Sequence, residues 1–154
     1  FRDITTLLKD ADAFKEAIDA LVERYRHQTF DLVAGIESRG FIIAGIIAHL
    51  LKKGFIPIRK PWKLPAETFR VDYELEYGKD AVEMHKDSVF KRARVLVVDD
   101  LLATGGTMKA ACDLVEKAGG IVTECAFIVD LPDLKGRGKL QDYQIFTLVE
   151  FEGE

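Results

Sequence analysis

The sequence predicts one α/β domain in which about five mostly parallel strands are covered by helices on both faces. Apolar runs typical of buried strands alternate with segments of helical period along the chain. The cleanest buried strand, 94–98, ends at two adjacent aspartates. With 154 residues, 48% of them apolar and 31% charged, the chain is long enough for one core that needs neither a metal nor a disulfide.

The first half of the chain begins with a helix that Asp10 or Asp12 is placed to cap. A short aliphatic run then closes at the polar turn Glu37–Gly40, and a second helix and another apolar run follow. In order, the pattern predicts a helix over 14–25, a strand over 31–36, a helix over 41–52 and a strand over 55–58.

The middle of the chain departs from this alternation. Residues 59–65 contain two prolines and three cations, which is typical of a loop. From 68 to 86, two runs of mixed apolar and charged residues flank Gly78-Lys79-Asp80, which predicts an exposed antiparallel hairpin outside the core.

The second half returns to the alternating pattern. A helix carrying Met108, Ala111, Val115 and Ala118 on one face follows strand 94–98 and ends at Gly119-Gly120. Two more strands are predicted over 121–129 and 144–149. Because ligands of such sheets bind beyond the carboxyl ends of the strands, we expect a site where strand 94–98 ends.

Charge and apolar runs exclude two classes of partner. The formal net charge is −4, with 22 Lys and Arg against 26 Asp and Glu, so nucleic acid is not the expected partner. The longest uncharged run, 40–51, is shorter than the roughly 18 residues that a membrane span needs. No secretory leader is visible either. We therefore expect a cytoplasmic protein without a membrane segment.

The cysteines and histidines predict no metal centre. Cys112 and Cys125 have no Cys-x-x-Cys spacing, so a reducing compartment and two small buried side chains are expected. His27, His49 and His85 are widely separated and share no ligand spacing. We place His49 near the core boundary and the other two at the surface.

The segment Asp99–Thr107, here called the cradle, runs from a buried strand into a helix. Its glycines let backbone N–H groups approach a ligand closely, and the helix start near Gly106 is favourable for an anion. Thr104 and Thr107 add hydroxyl donors, so a phosphomonoester could be held without a lysine. The segment contains neither Gly-Lys-Ser/Thr nor Gly-x-Gly-x-x-Gly, which argues against a P-loop and a dinucleotide site.

Asp99 and Asp100 repel each other unless sugar hydroxyls, a metal or a cationic reaction centre offsets their charge. The alternative is that they cap the helix and that the glycines serve a tight turn. The whole run from Val95 to Met108 favours a functional role.

The cradle resembles the phosphoribosyl-pyrophosphate signature of type I phosphoribosyltransferases, in the form found in members that act on adenine. Further resemblances occur in order along nearly the whole chain, and several together are specific where one is weak. They are Phe1–Thr5, Gly35–Phe41, Ile58–Pro61, Lys63–Pro65, Tyr73–Gly78 and Leu131–Arg137.

This resemblance implies roles for most of the cradle residues. Asp99 and Asp100 would hold the ribose hydroxyls and stabilise the positive charge that develops on the ribose ring. The 5-phosphate would be bound by Ala103, Thr104, Gly105, Gly106 and Thr107.

The pyrophosphate leaving group would be held by residues outside the cradle. Arg39, in the turn 37–40, would grip it together with backbone donors, and Tyr77 would join these contacts. Arg59, Lys60 and Lys63 would add positive charge from a mobile lid that excludes water. Mg²⁺ would be carried by the pyrophosphate, without a dedicated protein site.

Glu76 occupies the position of the family's catalytic glutamate and would manage the purine proton as N9 attacks. By composition alone Glu76 is one of several acids on a solvated face, so this role depends on the resemblance. Phe1 would stack on the base, the backbone near Arg2 would read its edge, and Leu101 would lie beneath the ring.

Two departures from the family pattern stand out. Members usually carry a further helical segment before Phe1, so we expect one domain over 1–154 with an incomplete N-terminal hood over the base and a flap over about 59–86. Trp62 stands where the family tends to have glycine, and its indole would stiffen the lid or cover the site.

The expected reaction converts adenine and phosphoribosyl pyrophosphate to AMP and pyrophosphate, with inversion at the anomeric carbon, in a homodimer. One alternative keeps the chemistry and replaces adenine by xanthine, hypoxanthine or guanine. Another is a regulator that binds phosphoribosyl pyrophosphate and catalyses nothing. Glu76 and the lack of a basic nucleic-acid-binding region argue against that second alternative.

Overall fold

The protein was analysed as a computed structural model that describes residues 4–153. Its central element is a five-stranded parallel sheet of order β2-β1-β5-β6-β7. The strands are β1 (Leu32–Ile36), β2 (Gly54–Ile58), β5 (Arg94–Leu102), β6 (Ile121–Asp130) and β7 (Ile145–Glu150). The predicted fold class and strand number are confirmed.

Helices cover both faces of this sheet. One face packs against α2 and α3 in a core that includes Leu21, Ile43 and Leu96, and the opposite face packs against α4 around Val97 and Leu114. The helices are α1 (Thr5–Lys9), α2 (Ala11–Tyr25), α3 (Arg39–Leu51) and α4 (Gly106–Lys117). Because β5 is buried on both faces, its residues 95–98 form an uninterrupted aliphatic run.

Asp10 caps α2 as expected: its side chain accepts hydrogen bonds from the backbone N–H groups of Asp12 and Ala13, both at 3.1 Å. His49 is exposed, which corrects its expected place near the core boundary. Two 3₁₀ turns, Pro132–Leu134 and Gly136–Leu140, connect β6 to β7.

The hairpin consists of β3 (Thr68–Glu74) and β4 (Lys79–His85), which form a separate antiparallel sheet. The prediction that it lies outside the main sheet is confirmed, but the prediction that it stays out of the core is wrong. Residues 81–84 of β4 are buried, and Val82 and Met84 join the core beside α4. A two-residue bridge, Arg59 with Glu83, ties the hairpin to the end of β2.

Candidate active site

The cradle lies at the carboxyl end of β5, where the sheet meets α4. β5 continues through both aspartates to Leu102, so the aspartates belong to the strand and the turn is shorter than the sequence indicated. Gly105 precedes α4 with φ of +89°, a backbone region that favours glycine. The cradle borders a cavity of about 80 Å³ whose lining includes Asp99, Leu101, Thr107 and Phe127.

The first turn of α4 presents backbone N–H groups to this cavity. The first α-helical hydrogen bond runs from the Lys109 N–H to the Gly105 carbonyl at 3.0 Å, so the N–H groups before it have no partner within the helix. The helix dipole adds partial positive charge at the same place. The geometry suits an anion such as a phosphate.

Asp99 and Asp100 point in different directions because successive strand residues alternate between faces. Asp99 is half-buried and lines the cavity. Asp100 is only 6% exposed and accepts a hydrogen bond of 2.6 Å from Arg39 Nε. Arg39 therefore offsets one charge of the pair.

The surroundings of Asp99 disfavour its ionised form. Burial and the neighbouring Asp100 carboxylate raise the pKa of Asp99 well above its ordinary value. The Asp100 backbone N–H, which donates to Asp99 Oδ1 at 2.8 Å, opposes this shift. A cationic ligand or reaction centre beside Asp99 would be stabilised by this charge.

The turn between β1 and α3 lies directly against the cradle. A Cβ placed on Gly40 would lie 3.1 Å from both Asp99 Oδ1 and the Val98 carbonyl oxygen. A side chain at this position would require its neighbours to move by a few tenths of an ångström, so glycine suits this close approach. Arg39 is positioned next to Asp100 by the same turn.

Glu37 organises the basic loop, residues 59–65, at the end of β1. Its carboxylate accepts hydrogen bonds from Arg59 Nε at 2.9 Å, the Lys60 backbone N–H at 3.0 Å and Lys63 Nζ at 2.9 Å. Burial alone would raise the pKa of Glu37, but these donors lower it below its usual range. The sequence analysis assigned Glu37 no role of its own, because α3 and β2 separate Glu37 from the basic loop along the chain.

The hairpin is joined to the cradle through Tyr73. The Tyr73 hydroxyl accepts hydrogen bonds from Lys60 Nζ at 3.0 Å and from Thr107 Oγ1 at 3.1 Å. Lys60 also forms a short ion pair with Asp80 on β4. One phenol thus connects a predicted pyrophosphate cation with a predicted phosphate donor.

Glu76 and Tyr77 lie in the exposed turn of the hairpin, and the Tyr77 side chain is 87% exposed. Glu76 lines a cavity of about 680 Å³ between the hairpin and α4, and Thr104 and Gly106 line the same cavity. The structure therefore places Glu76 and the cradle around one open space.

The sequence analysis also gave roles to Leu101, Trp62, Phe1 and Arg2. Leu101 is half-buried at the cradle, in register with Val129 of β6. Trp62 is exposed, with φ of +70°, and does not line either cavity. Phe1 and Arg2, predicted to contact the base, lie outside the described residues.

The two cysteines are buried, with their sulfur atoms 3.5 Å apart. Contact with Cys125 and burial raise the pKa of Cys112, so the thiol stays protonated at neutral pH, as expected for apolar packing.

Residues 4–153 contain neither a metal-binding cluster nor a membrane-spanning helix. No three His, Cys, Asp or Glu side chains in this range are grouped as around a metal ion. Within the same range, no helix is long and apolar enough to cross a membrane.

Comparison with known proteins identifies the family. Residues 4–153 match the family model described as phosphoribosyl transferase domain. The adenine phosphoribosyltransferase of Desulfosudis oleivorans is 57% identical over 154 residues, which are 100% of this chain and 89% of that protein. The chain therefore belongs to the phosphoribosyl transferase domain family, and within it to the adenine phosphoribosyltransferases.

Solved structures agree with this placement. The adenine phosphoribosyltransferase of Thermoanaerobacter pseudethanolicus superposes with a TM-score of 0.94 at 51% identity, over 98% of this chain and 88% of that one. The enzyme of Saccharomyces cerevisiae, solved with an imino-altritol bisphosphate and adenine, has a TM-score of 0.89 at 39% identity, over 96% of this chain and 86% of that one.

Proposed function

We propose that this protein transfers the 5-phosphoribosyl group of phosphoribosyl pyrophosphate to N9 of adenine, giving AMP and pyrophosphate. The observation that carries the proposal is the convergence of the cradle, the Asp99 carboxylate and the Glu76 hairpin on adjoining cavities at one end of the sheet. The relatives named above support adenine as the base.

The cradle binds the ribose 5-phosphate. Backbone N–H groups of the first turn of α4 and the hydroxyls of Thr104 and Thr107 supply hydrogen-bond donors, and the helix dipole favours the phosphate charge. Asp99 and Asp100 lie near the end of β5, the strand that leads into the same loop, and accept hydrogen bonds from the ribose hydroxyls. Phosphate and ribose are thus fixed by one continuous segment.

Asp99 also acts in the transition state. As the bond from the anomeric carbon to pyrophosphate breaks, positive charge develops on the ribose ring. A carboxylate that is already half-buried and fixed by the Asp100 N–H stabilises this charge without reorganisation. Attack from the opposite side of the ring then gives inversion.

The leaving pyrophosphate is held by the turn 37–40 and the basic loop. Arg39 and the cations gathered around Glu37, namely Arg59 and Lys63, lie at the ends of neighbouring strands β1 and β2. Lys60 and Tyr77 join them when the hairpin closes. Mg²⁺ carried by the pyrophosphate would neutralise the charge of the leaving group, and oxygen ligands from the substrate would suit this ion.

The hairpin brings Glu76 to the purine. Glu76 borders the cavity that Thr104 and Gly106 also line, which supports contact between its carboxylate and a base that attacks the ribose. Glu76 accepts the proton that N9 loses, and the closed hairpin excludes water that would hydrolyse the activated sugar. Phe1, the backbone at Arg2 and Leu101 enclose the base.

The proposal extends to three properties of the whole protein. The domain comprises residues 1–154 and acts as a cytoplasmic enzyme. We expect a homodimer, since the outer face of α3 carries the exposed Ile42 and Leu50, and an apolar groove of about 300 Å³ lined by Phe14, Ile18 and Ile46 lies beside it.

A panel of purine bases tests the reaction. Nucleotide formation is measured with Mg²⁺, phosphoribosyl pyrophosphate and adenine, hypoxanthine, guanine or xanthine. The proposal predicts AMP and no nucleotide from the three oxo-purines. A product from an oxo-purine would reassign the base, whereas tight binding of phosphoribosyl pyrophosphate with no product would indicate a non-catalytic regulator.

A further inference from the structure

An ion pair between the exposed Arg137 and the buried Asp130 lies next to the cradle. Asp130, the last residue of β6, is 1% exposed, and its Oδ2 accepts a hydrogen bond of 2.9 Å from Arg137 Nε. Arg137 lies in the second 3₁₀ turn and reaches the strand from the protein surface. The pair connects the end of β6 to the segment 131–140.

Asp130 depends on this arginine. Its second oxygen, Oδ1, is buried and has no hydrogen-bond partner among the residues that the structure describes. A buried carboxylate with one unpaired oxygen is costly, and Arg137 is the ion-pair partner that offsets its charge. The carboxylate and the guanidinium therefore hold each other in place.

The residue next to Arg137 touches the cradle. A Cβ placed on Gly136 would lie 2.4 Å from the Ala103 carbonyl oxygen. A Cβ placed on Gly105 would lie 2.5 Å from the Gly136 carbonyl oxygen. The two backbones are thus in direct contact, and the Leu131 N–H donates to the Leu102 carbonyl at 3.0 Å beside them.

We infer that Arg137, held by Asp130, is a positioning residue for ribose 5-phosphate: through Gly136 it fixes the backbone of Ala103–Gly106, whose N–H groups bind the phosphate. This inference depends on the proposed role of the cradle. Backbone donors must be held within about 0.5 Å of their working positions, and the Gly105 backbone has no side chain of its own to pack. The second 3₁₀ turn supplies that support through the contact of Gly136 with Ala103 and Gly105.

A second ion pair on the same strand provides a matched control. Glu124 of β6 is 3% exposed and accepts hydrogen bonds from Arg24 and from the Tyr25 hydroxyl. Arg24, like Arg137, is a partly exposed arginine on a buried carboxylate. Glu124 pairs with Leu96 near the start of β5, away from the cradle. Removing Arg24 therefore costs stability without touching the cradle.

The experiment measures two dissociation constants by calorimetry, one for ribose 5-phosphate and one for magnesium pyrophosphate. The proteins are wild type, Arg137→Ala, Arg137→Lys and Arg24→Ala. Loss of positioning in Arg137→Ala should weaken ribose 5-phosphate about tenfold or more, since small misplacements of binding groups are costly. Pyrophosphate, bound by the turn 37–40 and the basic loop, should change less than twofold. Arg137→Lys should restore most of the loss.

The control gives the comparison that separates positioning from stability. Arg24→Ala should lower Tm and leave both dissociation constants unchanged. If Arg137→Ala does not fold, Asp130→Asn serves instead, because a buried neutral amide costs less than an unpaired carboxylate. It should weaken ribose 5-phosphate alone.

Three results overturn the inference. Unchanged ribose 5-phosphate binding in both Arg137→Ala and Asp130→Asn, or an equal weakening of both ligands, would leave the ion pair a purely structural role. If wild type binds no ribose 5-phosphate, the cradle assignment under the proposed function fails, and the positioning role fails with it.

Discussion

At the scale of single residues, Asp99 illustrates a conflict between stability and function. Burial and the Asp100 charge raise its pKa, so the folded state binds this proton more tightly than the unfolded state does. Ionised Asp99 therefore costs stability. The cost is absent below its ordinary pKa of 3.8 and grows as the pH rises towards the raised value.

Asp99→Asn should remove this cost, but it should also remove the negative charge that stabilises the transition state. Asn keeps an oxygen for the Asp100 N–H, so we expect Tm at pH 8 to rise by about 3 °C, while kcat falls by about 10²-fold or more. The Tm difference from wild type should shrink towards pH 4. Thermal melts at both pH values and steady-state rates measure this, and a lower Tm at pH 8 would contradict the assignment.

Glu76→Gln tests the hairpin acid. The amide keeps the shape but cannot accept the N9 proton, so kcat should fall far more than the affinity for phosphoribosyl pyrophosphate. Glu74→Gln is the matched control, since Glu74 is exposed on the same hairpin and lines the same cavity. An equal loss of kcat and affinity in Glu76→Gln, or a similar loss of kcat in Glu74→Gln, would remove Glu76 from catalysis.

At the scale of elements, the cradle loop has no room for a side chain at Gly105. An alanine there would adopt φ near +89° and contact the Gly136 carbonyl oxygen. We expect Gly105→Ala to cost about 1–3 kcal/mol, a drop in Tm of about 5 °C, and to weaken phosphoribosyl pyrophosphate.

Gly138→Ala is the control for this loss. It adds the same methyl group in the neighbouring 3₁₀ turn, where nothing lies within 4 Å of the new Cβ. Its Tm and its affinity should match those of wild type. If Gly105→Ala also matches wild type by calorimetry and thermal melts, the close contact between the cradle and Gly136 does not exist in solution.

Elements with a strong local pattern were predicted from the sequence. The aliphatic run of β5, the glycine stop after α4 and the parallel alternation all follow from local periodicity, and the structure confirms them. β4 was misjudged because Glu83 and Asp80 interrupt its apolar residues. Burial there is decided by packing against α4, which periodicity does not report.

The candidate site was predicted only where its residues are close in sequence. The cradle is continuous, so its motif could be read directly. Glu37 with Lys63 and Asp130 with Arg137 depend on loops folding back to a strand end, and sequence spacing does not encode these contacts. The roles of Glu76 and Tyr77 came from family resemblance alone.

At the scale of the whole molecule, the parallel sheet explains why the site lies where it does. The carboxyl ends of β1, β2 and β5 meet at one edge and carry the turn 37–40, the basic loop and the cradle. The hairpin is attached to the same edge by the Arg59–Glu83 bridge. The segments proposed to hold phosphate, ribose, pyrophosphate and base therefore adjoin one another.

The central claim is transfer to a base with water excluded, and product balance tests it most directly. AMP, pyrophosphate and ribose 5-phosphate are quantified together after reaction of phosphoribosyl pyrophosphate with Mg²⁺, with and without adenine. We expect AMP and pyrophosphate in equal amounts and little pyrophosphate when adenine is omitted. Release of pyrophosphate with ribose 5-phosphate, independent of adenine, would contradict it.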